Sequence, residues 1–347
     1  MKHNPVFLTT WLLVILAILL SGCKEVNGKA RMEPTHQMYF GLAVEGLPTE
    51  TSQLRDMEKQ TGLPVSMVNF FLQWPENPAD TNFPGDTLKA IHEFGGLACL
   101  TWEPMYYDQS GREHMIPAQE ILEGRYDGYI DHFAARIREL GYPVIIRFAH
   151  EMNLKRYHWG GDQSSYGPDS PERYREMFRY ISERFRKAGT DNALLAFCPN
   201  SESVPGPQDG ADWNRAKNYY PGHKYVDVLG MDGYNWGETR TLEEHGWKSR
   251  WQTFEEIFSS IYKELREISS DKPIFVFETA ASDRGGDRDL WVRRAFETAK
   301  QWDLQGIFWF QVDKETDWRL KAGPDQTYPG EVRRKIFSPL PHLHKEN

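Results

Sequence analysis

The chain has 347 residues, too long for a small domain and suited to one (β/α)8 barrel of roughly 250 residues with enlarged loops. A formal net charge of −9 argues against a nucleic-acid partner, because binding phosphates needs a basic face. Aromatic residues make up 14% of the chain and include 12 Trp, enough for stacking surfaces as well as core.

Taken in chain order, the first feature is a targeting segment. Lys2 and His3 precede an apolar run from Val6 to Leu20 that Thr9 and Thr10 interrupt. A run of about 15 residues is short for a bilayer-spanning helix, which needs roughly 20, and fits the apolar part of a signal peptide. It ends in Leu20-Ser21-Gly22-Cys23, which resembles the lipobox of bacterial lipoproteins. That resemblance implies a signal peptide over 1–22, cleavage before Cys23 and lipidation of Cys23. The protein would then be anchored in the cell envelope, facing outside the cytoplasm, with Lys24 pointing to the outer membrane where the host has one. An uncleaved anchor or ordinary secretion would fit the same segment. Residues 23–36 are polar and read as a tether, and 37–347 as one domain.

From Tyr39 onward, short apolar runs alternate with amphipathic stretches. The runs 39–44, 66–74, 96–103, 143–150, 193–198, 225–231, 273–277 and 306–310 read as eight strands. Helices are predicted over 129–140, 171–188, 254–268 and 290–302, with Ser170 as N-cap before Pro171 in the second. Strands alternating with helices predict an α/β protein, a single closed (β/α)8 TIM barrel. Cys99 and Cys198 fall in separate strands, where buried free thiols are expected over a disulfide.

The chemistry gathers at two strand exits. Val144-Ile145-Ile146 runs into Arg147, His150, Glu151 and Asn153, and the seventh strand runs into Glu278. Barrel enzymes carry their reacting groups at the C-terminal ends of strands, and strands four and seven face each other across the mouth. Two facing carboxyls can break a glycosidic bond with retention when about 5–5.5 Å apart, or with inversion at roughly 6.5–9.5 Å. Tyr234 can donate to Glu278, Arg147 can hold the nucleophile charged, and His150 can orient substrate or a carboxylate. Trp102, Tyr157, Trp159, Trp236 and Trp309 fall at or just past strand ends, where aromatic planes would stack on sugar rings. His150-Glu151 is not a zinc-protease helix, since the fourth residue after His150 is Leu154. Asp283 to Asp289 lacks EF-hand spacing and reads as a solvated loop. No metal or cofactor is expected.

With these residues in view, the chain resembles glycoside hydrolase family 26 from about Tyr39 to Arg319. The most specific piece is Arg147-Phe148-Ala149-His150-Glu151-Met152-Asn153, followed by Tyr157-His158-Trp159. The resemblance implies Glu151 as acid/base, Glu278 as nucleophile, and Asn200, Tyr234, Trp309 and Trp318 at the family's corresponding positions. It implies an endo-acting retaining β-glycanase with a polysaccharide substrate, mannan first. Leu154-Lys155-Arg156 and the Thr101-Trp102-Glu103 strand end depart from mannanase patterns, which leaves β-1,3-1,4-glucan and 1,3-xylan open. A transglycosylase acting on an exported polysaccharide would also fit these residues, as would a non-catalytic glycan-binding lipoprotein. A monomer is expected.

Overall fold

The computed structural model describes residues 30–32, 38–157, 159, 163–321 and 343–345. The expected signal peptide, Cys23 and all of the tether except residues 30–32 lie outside the described residues. Eight strands close into a parallel barrel: β1 (Tyr39–Val44), β2 (Met67–Gln73), β3 (Leu97–Glu103), β4 (Val144–Phe148), β5 (Ala193–Phe197), β6 (Val228–Asn235), β7 (Ile274–Ala281) and β8 (Gly306–Phe310). They pair in chain order, and β8 returns to β1. The expected (β/α)8 architecture is therefore present, with β1 and β8 at the expected bounds.

Six longer helices surround the barrel: α1 (Thr51–Thr61), α2 (Gly85–Phe94), α3 (Asp127–Leu140), α4 (Ser170–Lys187), α5 (Phe254–Ile268) and α6 (Arg288–Gln301). α5 starts at a reciprocal cap. Glu256 N–H donates to Thr253 Oγ1 at 3.1 Å, and Thr253 N–H donates to Glu256 Oε2 at 2.7 Å. Ser170 proves to be the first residue of α4 rather than its cap. Asp169 takes the cap position, and the Ser170 hydroxyl accepts from Gly167 N–H instead. Between β5 and β6 the helical segments are short, including Ala216–Tyr219.

Side-chain alternation splits the apolar residues into two layers. One set plugs the barrel interior, among them Met67, Leu97, Cys99, Ile145, Leu194, Cys198, Phe275, Phe277 and Phe308. The other faces the helices, for example Val144, Ile146, Leu195, Leu229 and Ile307. Cys99 and Cys198 are both free and buried in the plug. Crowding there explains Gly230 on β6, where a Cβ would come within 2.3 Å of the Phe277 ring and 3.0 Å of Cys198 Sγ.

Candidate active site

Arg147 is the inward-facing residue after Ile145 on β4, and it is fully buried. Its Nε donates to Thr101 Oγ1 at 2.8 Å, one Nη to Asp232 Oδ2 at 2.6 Å, and the other Nη to Glu278 Oε1. Burial alone would disfavour its charge, but Asp232 and Glu278 outweigh that and hold the guanidinium protonated. Asp232 and Tyr234 alternate inward on β6, beside Gly230. Thus β3, β4, β6 and β7 are tied together under the mouth by one cation.

Simple alternation along β7 would not place Glu278 inward, because Phe275 and Phe277 already occupy the interior. A register shift between Val276 and Glu278 against β6, matched by one against β8, lets consecutive residues Phe277 and Glu278 both serve the interior side. Glu278 then accepts from Arg147 on one oxygen and from the Tyr234 hydroxyl on the other at 2.5 Å. Burial, then the charge of Glu278, raises the Tyr234 pKa, so the phenol remains a donor.

Glu151 is placed by a strained turn. Ala149 and Glu151 have φ of 47° and 51°, left-handed values that non-glycine residues rarely adopt away from functional sites. The turn is anchored by Glu151 N–H donating to Cys198 O at 2.8 Å. Asn153 locks the neighbouring strand exit. Its Oδ1 accepts from Asn200 N–H at 2.8 Å and its Nδ2 donates to Asn200 O at 3.0 Å. Asn200 is thereby aimed so that its Nδ2 donates to Glu151 Oε1 at 2.7 Å. Burial, reinforced by the negative charge of Glu278, pushes the Glu151 carboxyl up to about 7. The two glutamates therefore sit within electrostatic reach in unlike settings. One has its charge opposed by burial, and the other accepts a hydrogen bond on each oxygen. That is the division an acid and a nucleophile require.

His150 Nε2 lies 3.9 Å from Glu278 Oε1. Burial, then Arg147 and Arg156, drives its pKa well below the usual value and keeps the ring neutral. Its face packs against Tyr157, with ring centres 4.7 Å apart. Tyr157 in turn stacks on Trp159 at 5.1 Å, and Trp159 Nε1 donates to His150 O at 2.5 Å. Trp159 is only 5% exposed, so it backs Tyr157 rather than presenting a face of its own. Arg156 covers Tyr157 and makes a two-pronged pair with Glu113 at 2.6 Å, which pins this loop to the hairpin after β3.

On the β6 side, Trp236 is partly exposed and meets Trp318 edge to face at 5.0 Å. With Trp247, Lys248, Arg250 and the two residues bonded to the glutamates, Asn200 and Tyr234, it lines a cavity of about 620 Å³. His150, Asp232 and Glu278 also approach one another within 4.8 Å, but the cation bound between the two carboxylates is the Arg147 guanidinium.

Two expected sugar platforms are elsewhere. Trp102 alternates outward on β3, is wholly buried and donates from Nε1 to the Tyr129 hydroxyl among Trp74, Phe133 and Phe148. Trp309 alternates outward on β8, donates to Trp318 O at 2.8 Å and meets Trp291 of α6. Position-two alternation from their inward neighbours, Thr101 and Phe310, carries the signal that turns both away from the mouth. Aromatic richness alone concealed it.

Sequence reasoning also missed residues the tertiary structure brings in. Asp232 holds Arg147, and Glu103 on β3 points inward, 2% exposed, accepting from Gln73 Nε2 at 2.5 Å. Burial raises the Glu103 carboxyl to about 7.

Fold and site together define a (β/α)8 barrel with a carboxyl pair at the C-terminal mouth, carried by the β4 exit and β7. Residues 116–282 match the family model described as Glycosyl hydrolase family 26. Endoglucanase H of Acetivibrio thermocellus is 30% identical over 288 residues, 82% of this chain and 29% of that protein. A mannan endo-1,4-beta-mannosidase of Bacillus subtilis is 29% identical over 28% of this chain and 25% of that protein. A beta-1,3-xylanase of an Alcaligenes species is 22% identical over 66% of this chain and 46% of that protein. The chain thus spans less than half the length of each of these relatives. Among solved structures, a Bacillus subtilis mannanase superposes with a TM-score of 0.56 at 18% identity, covering 88% of this chain and 92% of that one. A family 26 β-mannanase from Bacteroides ovatus has the same TM-score at 20% identity, covering 84% and 86%. At these identities the likeness is one of fold.

Proposed function

We propose that the protein is an endo-acting glycosidase that cleaves a β-linked polysaccharide with retention. The observation that carries this reading is the unlike pair at the mouth: Glu151, with its carboxyl pushed up to about 7, and Glu278, gripped by Arg147 and Tyr234. In the first step Glu278 attacks the anomeric carbon while Glu151 protonates the departing glycosidic oxygen. In the second, Glu151 takes a proton from water, and the resulting hydroxide displaces Glu278. Neutral His150 and the phenol of Tyr234 keep the pocket free of competing charge changes. Trp236, partly exposed at the mouth, offers an aromatic face for a flanking sugar. No metal or cofactor enters either step.

For the backbone, glucan, 1,3-xylan and mannan are the candidates. Glucan ranks ahead, because the similarity to Endoglucanase H runs over most of this chain while that to the mannanase covers under a third. Incubation with mannan, glucomannan, barley β-glucan and 1,3-xylan, followed by reducing-sugar detection, decides among them. Absence of release from all four in wild type, or unchanged release by Glu278→Ala, refutes the reading. The anomer released, followed by NMR at early times, tests retention. Product analysis with added acceptor sugars separates hydrolysis from transglycosylation.

We further propose a lipid tether at Cys23, supported by the Leu20-Ser21-Gly22-Cys23 motif. Palmitate labelling that persists in Cys23→Ala would refute it.

A further inference from the structure

A third carboxyl stands at the mouth without a place in the two-step reaction. Glu103 ends β3 on the same inward parity as Thr101, the residue that braces Arg147. Its backbone is tied to the neighbouring strand, with Trp74 N–H donating to Glu103 O at 3.0 Å. One carboxyl oxygen accepts from Gln73 at 2.5 Å, and no hydrogen bond to the other occurs among the described residues. The side chain is only 2% exposed, yet Arg147, Glu278 and Arg156 all act on it electrostatically, and it acts on Glu151 and Tyr157 in turn. Those five residues are the rim and floor of the candidate site, and the shared parity with Thr101 turns Glu103 to their side of the strand rather than to the helix-facing core.

A buried carboxyl with a spare oxygen is expensive to maintain for packing alone. Leu or Met would fill the same space without that penalty. The Gln73 bond fixes its rotamer, as a pre-set recognition group requires. We propose that Glu103 is a specificity-determining residue whose carboxyl hydrogen-bonds a ring hydroxyl of the sugar bound beside Glu151 and Glu278. Burial leaves it about evenly protonated near pH 7, so it can give or take that bond. The ligand class is an uncharged sugar, because a uronate or sulfated ring at this point would meet Glu103, Glu151 and Glu278 at once. This proposal rests on the glycan-cleaving reading of the mouth.

The test uses the Glu278→Gln protein as a non-cleaving parent, with mannohexaose, cellohexaose and glucuronate-bearing xylohexaose as probes in tryptophan-fluorescence titrations. Glu103→Leu and Glu103→Met, which keep the volume, and Glu103→Gln, which keeps the hydrogen-bonding shape, are added to that parent. Thermal melts select the variants that fold. The expected result is roughly tenfold weaker binding of the preferred neutral hexasaccharide by the apolar variants, about 1.4 kcal/mol, with Glu103→Gln restoring it to within about threefold. The acidic probe binds the parent more weakly than the neutral ones. Apolar variants that bind within twofold of the parent overturn the role of Glu103 and leave the hydrolase reading intact. A parent that binds none of the probes overturns both. Equal loss in Glu103→Gln and Glu103→Leu assigns Glu103 to structure and also overturns the proposal.

Discussion

Asn200→Ala tests whether Glu151 is the group whose protonation governs activity. Asn200 Nδ2 donates to Glu151 Oε1 at 2.7 Å and so favours the ionised carboxylate, opposing burial and the Glu278 charge. Removing the donor leaves the charged form less stable, and the Glu151 pKa rises from about 7. A hydrogen bond to a charged group contributes about 1.5–3 kcal/mol when well buried, and Asn200 is partly exposed. Taking the low end, and about 1.4 kcal/mol per pKa unit, the rise is about one unit. In kcat/KM against pH, which reports the free enzyme, the basic limb should move about one unit to higher pH. The assay is reducing-sugar release from the best polysaccharide across about pH 4 to 9. A limb that stays in place or moves to lower pH refutes the assignment of Glu151 as the acid. A drop in rate at every pH, with the limb unmoved, refutes it equally.

Further tests follow from the same geometry. Glu103 sits near Glu151 and raises its pKa, so Glu103→Gln should move that basic limb to lower pH, opposite to Asn200→Ala. Glu103 itself has a folded-state pKa of about 7 against an ordinary 4.5, so the folded protein holds the extra proton between those values. Its stabilising contribution is whole below about pH 4.5 and is lost as pH rises through 7. Glu103→Gln should therefore gain stability over wild type as pH rises, by up to about 3 kcal/mol at pH 8, and show little gain at pH 4.5 in urea titrations. A gain that does not grow with pH contradicts this. Arg147→Met leaves Asp232 and Glu278 buried without their cation. It should abolish turnover and cost about 3–5 kcal/mol, part of which Asp232→Asn recovers. Trp102→Ala should destabilise by about 3–5 kcal/mol and leave KM of the folded fraction within twofold, whereas Trp236→Ala should raise KM several-fold with an unchanged melting temperature.

How much was legible in the sequence divides along physical lines. Strand periodicity, helix stripes and the spacing between them are local properties of the chain, and they determined the closed barrel and two of its strands to the residue. The polar residues at 147–153 and 278 announced the candidate site for the same reason, since each lies next to its own strand in the chain. What alternation predicts within a single strand was also available, and it was enough to turn Trp102 and Trp309 outward. The tertiary structure alone decided the rest. The register shift in β7 that brings Glu278 inward exists only against β6 and β8. The sharing of Arg147 between Asp232 and Glu278 joins positions 85 and 131 residues away from it. The placement of Glu103 among the charged groups of the mouth depends on β2 supplying Gln73. Local pattern specifies which face a side chain takes, but a shared charge or a bulge is a property of two strands at once, and no single stretch of sequence contains both.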